Sequence, residues 1–598
     1  MARRHYRFSF IETNLLVGFF LSLIICTSGI RADSVAAERA QVELHQQELH
    51  QLFQNFFQDY LQLFPTFATR IGDHGYDDKL QIEISEEHRQ KQRTLYSSYL
   101  RKLSEIDRGS LQNHDRLNYD LFKYELTLRF EGLQFNDHLT PDFKPESLFR
   151  AIAPRELGGE SGPLKTVYYY NDYIKRLAEV PTWVNTAVAN MRKGMVQGVV
   201  DSKYVVEDSL RRIDRMLVLN VQWNLFYQPI VRMPPAISNA DKARIKRETT
   251  QVIEQAIIPA YKKLSTFIRQ EYLPKTTTSL GISGLPGGRA HYPYLVKTVT
   301  TTNLTPDEIF QMGMDEIKRL KKEVQQMQEK MGFKRSLGAF QMYLEENTPK
   351  YSKQNLIKAY EALGTNVTAR LPQLFGRLPK ISYKIKAVEG LKGAGIAGAY
   401  EDAIFDGSHQ GVVYIDRSSI RVGLNVSLFL HEAIPGHHLQ ISLQPEGAGL
   451  PAFRRYRSYT AFLEGWATYA ESLGQDLGLY GDPYQRLVYL RSELSKALKL
   501  VVAVGIYHKG WNTLQAHRIW AEEGGRLLPV SPIIEPAGRS MAYKIGQLKI
   551  SAIRSKAEKS LGSKFDIRAF HDELLKDGAL PLDLLEAKMD TWVASQLR

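Results

Sequence analysis

The chain has 598 residues, of which 43% are hydrophobic and 24% charged. That composition excludes a disordered or fibrous protein, and the length fits two to four domains or one large multi-lobed enzyme. The net charge of +13 comes from 78 Lys plus Arg against 65 Asp plus Glu, but the two signs interleave, as in Asp315-Glu316-Ile317-Lys318-Arg319. Such mixing describes solvated helix faces and no nucleic-acid partner.

At the N-terminus, Arg3, Arg4 and Arg7 precede an apolar run from Leu15 to Ile25, and Ala32 stands before Asp33. This order predicts a signal peptide over residues 1–32, hence export to the periplasm or the exterior and no stable membrane association after cleavage. The alternative is an uncleaved inner-membrane anchor, for which roughly 17 apolar residues is short. The only cysteine, Cys26, follows the bulky Ile25 inside this segment, which disfavours lipid attachment. A mature chain without thiols has no disulfide, no Cys-based zinc site and no Cys nucleophile.

Most of the remaining sequence has helical periodicity. Leu44 to Leu63 is one such stretch, and Thr305-Pro306-Asp307-Glu308 reads as a capping box opening a long helix through Met331. Pro274 to Asn303, rich in Gly and Thr with Tyr292-Pro293-Tyr294-Leu295-Val296, predicts turns and short strands. A boundary there divides an N-terminal helical region, 33–280, from a C-terminal one, 281–598, although 33–598 could be one continuous domain. Gly411 to Asp416 predicts a strand, either a structural hairpin strand or one that pairs with an extended peptide.

The stretch Leu428 to Gln440 reads LFLHEAIPGHHLQ. In the H-E-x-x-H zinc pattern two histidines share one helix face and the glutamate is the general base. Here His431 and Glu432 end a helix predicted over Arg421 to Ile434, and Pro435 occupies the place of the second histidine. Pro435 breaks the helix. A wide turn or π-bulge at Pro435-Gly436 would return either His437 or His438 to His431, whereas a plain helix C-terminus is the bland reading. Downstream, Phe462, Trp466, Tyr469 and Leu473 form an apolar stripe, and Glu464 and Glu471 share the opposite helix face. Those carboxylates read either as a solvated face or as one metal ligand and one group holding a ligand histidine.

HEAIPGHHLQ together with LEGWATYAE resembles the bacterial family catalogued as domain of unknown function 885, regarded as related to zincin-type metallopeptidases. Further blocks that resemble it are Gly194 to Val200, Gly284 to Gly288, Leu304 to Ile309, Tyr543 to Lys549 and Phe565 to Leu580. The resemblance implies a mostly α, two-lobed zincin-like fold with small β elements and a central cleft. By similarity to gluzincin peptidases it implies Glu464 as third ligand and Gly436-His437 as the matching Gly-His pair. His438 and Glu471 are then groups that hold a ligand from behind, or alternate ligands. One block departs from the family: Lys496 and Lys499 stand where relatives carry arginine, Ala503 replaces an acid, and Tyr507 precedes His508.

The expectation is a secreted zinc peptidase acting on a peptide substrate. His431, His437 and Glu464 would hold Zn2+, Glu432 would be the general base, and Tyr543 or His508 would be the oxyanion donor. The alternatives are a zinc amidohydrolase of cell-wall peptides and a non-catalytic metal-binding or scaffolding relative.

Overall fold

The computed structural model describes residues 41–598 apart from 154–165, 219, 350, 389–397, 402–409, 417–422, 445–449, 456 and 525–537. The predicted signal segment, Cys26 included, lies outside the described residues. The protein is mostly helical with one three-stranded sheet. No described helix is long and apolar enough to cross a membrane.

The helix signals of the sequence operate as chemistry requires. Residues 41–63 are helical. Helix α1, Pro306–Lys330, opens with the complete capping box: Thr305 accepts from the Glu308 amide and Glu308 accepts from the Thr305 amide. The segment before it differs from expectation. Gly288–Thr300 is a helix with Pro293 inside it, so the predicted strands are absent there. Tyr292 and Val296, four residues apart, are both fully buried, and that tertiary packing overrides the β preference of Tyr, Val and Thr.

Apolar side chains gather into two cores. The smaller contains Ile84 and residues from Phe143 to Tyr272. The larger joins Leu49 to Leu133 with Tyr292 to Met589. The core thus changes between Tyr272 and Tyr292, and the helices before residue 134 pack with the C-terminal half. Arg176 ties the two together from the small core, donating to the carbonyls of Lys79 (3.0 Å) and Tyr76 (3.2 Å).

Strands β1 (Tyr383–Val388), β2 (Gly398–Glu401) and β3 (Gly411–Asp416) form a sheet of order β1-β3-β2. β3 runs parallel to β1, with Tyr383 opposite Gly411, and antiparallel to β2, with Gly398 opposite Ile415. The predicted strand at 411–416 is therefore present but central, and it offers no edge to a peptide. The site is built by five further helices: α2 (Val426–Glu432), α3 (His437–Leu443), α4 (Thr460–Ser472), α5 (Pro483–Tyr507) and α6 (Met541–Leu561). The sheet packs on α2 and α3 through Tyr383, whose ring lies 6.4 Å from Phe429 and 4.7 Å from His438.

Candidate metal centre

Helix α2 is shorter than its apolar pattern suggests. Asn425 caps it by accepting from the Leu428 amide, and it ends at Glu432. The predicted start at Arg421 lies outside the described residues, and Gly423 to Asn425 are not helical. After α2 the chain makes a turn containing a cis Ile434–Pro435 peptide, and Gly436 is the N-cap of α3. The insertion is thus a turn between two helices and not a π-bulge. Gly436 is required by space: a Cβ there would lie 1.9 Å from the His431 carbonyl oxygen. Trp466, on α4, locks the turn by donating from Nε1 to the Pro435 carbonyl at 2.9 Å.

This path brings His437 back to His431. Their rings are perpendicular, with centroids 4.9 Å apart. The Nε2 atoms of His431 and His437 each lie 3.4 Å from Glu464 Oε2. One potential ligand atom from each of the three residues falls within 4.8 Å of the others, the single such cluster among the described residues. Donors about 2.0–2.1 Å from a tetrahedral zinc sit about 3.3 Å from one another, so the Glu464 edges match that geometry. Glu464 Oε2 is buried and makes no hydrogen bond, facing only the two imidazole nitrogens 3.4 Å away, an anion that a cation would satisfy. Two imidazoles and one carboxylate are donors suited to zinc and leave a fourth position for substrate or water.

The electrostatics favour a cation. Burial opposes charge on His431, but the carboxylates of Glu464, Glu471 and Glu432 outweigh it and push its pKa up to about 10. Burial likewise raises Glu464, yet the two histidines hold it well below the usual carboxylate range. Glu432 is shifted up by burial, with His431 and His437 opposing the shift.

Behind His431 stands Glu471. His431 Nδ1 donates to Glu471 Oε1 at 2.9 Å, which leaves Nε2 free to face Glu464. The other Glu471 oxygen accepts from Ser427 at 2.6 Å and Ser492 at 3.3 Å, while Lys496 donates to Oε1 at 2.6 Å. Lys496 and His431 overcome the cost of burial and keep Glu471 ionised.

His438 takes another course. Nε2 faces the Ile381 carbonyl at 3.0 Å and so carries the proton, while Nδ1 accepts from the Tyr400 hydroxyl at 2.9 Å. It touches β2 and the segment before β1, so neither the role of alternate ligand nor that of a group holding a ligand from behind fits its placement. His508 is a second correction. It lies twelve residues past Lys496, about 18 Å along α5, and packs on Tyr292 and within 3.9 Å of Asp307, away from the histidine pair. Tyr543 does reach the site, its ring nearly parallel to that of His431 with centroids 6.1 Å apart. Two glycines make this approach possible: a Cβ on Gly465 would lie 2.5 Å from Gly546 Cα, so α4 and α6 touch backbone to backbone.

The family model described as "Bacterial protein of unknown function (DUF885)" matches residues 65–589. The chain belongs to the DUF885 family. No curated protein matches this DUF885 chain. It is similar to a solved candidate lipoprotein of Colwellia psychrerythraea, with TM-score 0.76 and 24% identity over 92% of this chain and 99% of that one. A candidate lipoprotein of unknown function from Shewanella oneidensis gives TM-score 0.72 and 18% identity, over 90% of this chain and 99% of its own. At these identities the DUF885 chain shares their fold.

Ser427, Trp466 and Lys496 also build the DUF885 site, and sequence reasoning assigned none of them to it. Ser427 left one signal, a hydroxyl four residues before His431 in an otherwise apolar turn. Behind Trp466 lies His571, fully buried, with Nδ1 donating to the Leu374 carbonyl at 2.8 Å and Nε2 2.9 Å from the Tyr469 hydroxyl. Burial depresses its pKa from 6.5 to about 3. The unfolded chain therefore binds this proton below pH 6.5 while the folded chain refuses it until about pH 3. Stability is expected to fall by roughly 1.4 kcal/mol per pH unit across that window. In urea titrations between pH 6 and 4, His571→Gln should reduce the slope of stability against pH by one proton, and an unchanged slope would contradict this.

Proposed function

We propose that this DUF885 protein is an exported zinc-dependent peptidase with a zincin-like arrangement of helix pair, ligand helix and small sheet. The observation that carries the reading is the cluster of His431 Nε2, His437 Nε2 and Glu464 Oε2, in which both imidazole nitrogens lie 3.4 Å from one buried carboxylate oxygen that makes no hydrogen bond. Glu471 on His431 Nδ1 supports it as an outer carboxylate that fixes the imidazole. Similarity to candidate lipoproteins supports export.

A zinc ion bound by these residues would supply Lewis-acid polarisation of the amide carbonyl and activation of a water. Glu432, next to the ligand His431, takes the water's proton and passes it to the leaving amine. Burial raises its carboxyl above the usual carboxylate range, which favours its accepting a proton. Tyr543 is the donor for the developing oxyanion, aimed by the α4–α6 contact. The outer edge of β2 has no partner among the described strands and gives a peptide backbone a place to pair beside α2.

The test is metal analysis of purified protein joined to a peptide-library cleavage assay on wild type and Glu432→Gln. Zinc near one per chain with cleavage by the wild type alone is expected. A wild type without zinc, or equal cleavage by both proteins, would refute the reading. Cleavage confined to cell-wall fragments would select an amidohydrolase of cell-wall peptides.

A further inference from the structure

We propose that Lys496 is a positioning residue of the metal centre, holding Glu471 in the orientation that presents His431 Nε2 to the ion. The inference rests on reading the site as a metal centre. Lys496 lies on α5 with its side chain 12% exposed. Its ammonium donates to Glu471 Oε1 at 2.6 Å and to Ser492 Oγ at 3.0 Å, and lies 3.5 Å from Glu493 Oε1. Glu471 is a carboxylate with a 3% exposed side chain, and a charge so placed requires a cation beside it. Lys496 is the ammonium that meets it, on the same oxygen that accepts from His431 Nδ1.

Lys496 is itself one rung of a ladder of alternating charge that is buried at its centre and opens to solvent at its Arg319 end. Glu493 and Lys544 have fully buried side chains and meet at 2.8 Å, and Gln547 donates to the same Glu493 oxygen at 2.6 Å. Lys544 also reaches Glu316 at 2.7 Å, and Glu316 is paired through both oxygens with Arg319 at 2.8 Å. The run Glu471, Lys496, Glu493, Lys544, Glu316, Arg319 thus crosses from α4 through α5 and α6 to α1. Lys544 adjoins Tyr543, so one ladder fixes both the back of His431 and the register of the helix that carries Tyr543. A residue that served only to join α4 to α5 would have no reason to share the Glu471 oxygen that accepts from His431.

The experiment measures zinc affinity of the full chain by chelator competition, and the absorption spectrum of the cobalt-substituted protein, for wild type, Lys496→Met and Lys496→Arg. Lys496→Met is expected to weaken zinc binding by about 10–100-fold, the usual effect of disturbing an outer-shell partner, and to shift the cobalt bands. Lys496→Arg, which retains the charge, should recover most of the affinity. Should Lys496→Met fail to fold, Glu493→Gln loosens Lys496 without removing it and is expected to weaken zinc binding severalfold. A variant with wild-type zinc affinity and cobalt spectrum, whatever its thermal stability, would overturn the positioning role alone. A wild type that takes up no zinc would overturn the metal-centre reading beneath it.

Discussion

His437→Ala is expected to lower zinc affinity by more than the 10–100-fold typical of an outer-shell change and to remove peptide hydrolysis, while His438→Ala leaves zinc affinity unchanged. The adjacent histidines separate because α3 starts between the turn and the sheet. His437 faces back to Glu464, and His438 faces Tyr400 and the Ile381 carbonyl. Removing His437 deletes one of three donors and exposes Glu464 to a vacancy. Removing His438 deletes the half-buried hydrogen bonds to the Tyr400 hydroxyl and the Ile381 carbonyl, each worth about 0.5–1.5 kcal/mol of stability. Zinc titration and thermal denaturation of the two variants give opposite patterns if the assignment is right. Loss of zinc in His438→Ala with retention in His437→Ala would reverse it.

Glu432→Gln is expected to keep zinc and lose about 10²–10⁴-fold in kcat, with KM little changed. The amide has nearly the shape of the carboxylate but cannot take up the proton. Glu432 is not in the ligand triangle, and its carboxyl is raised by burial while Glu464 is held low by the two histidines. On the proposed reading these opposite directions suit the two carboxylates to different tasks, one exchanging protons and one holding charge. Single-turnover cleavage with zinc measured in the same samples checks this. A zinc-loaded Glu432→Gln enzyme with wild-type kcat would remove Glu432 from proton transfer.

The site was legible in the sequence where helical period governs it. Glu464 and Glu471, seven residues apart on α4, do lie on one face, one toward the histidine pair and one behind it. The core stripe of Phe462, Trp466, Tyr469 and Leu473 is buried as its spacing requires. The selection of His437 over His438 came from the resemblance and not from period, because the break at Pro435 erases the helical phase. Lys496 was read as a family difference only. Its contact with Glu471 crosses 25 residues between two helices, and no local spacing encodes it. The same limit applies to the cores: periodicity says that a helix buries a face, not which helix it meets, so it does not encode the packing of the helices between residues 49 and 133 on the C-terminal half.

The central claim is that His431, His437 and Glu464 form one metal centre, and anomalous scattering at the zinc edge from crystals of the zinc-loaded protein tests it most directly. The account predicts a single strong peak about 2.0–2.2 Å from His431 Nε2, His437 Nε2 and a Glu464 oxygen. A peak coordinated by His438, or no peak among these three side chains, would contradict it.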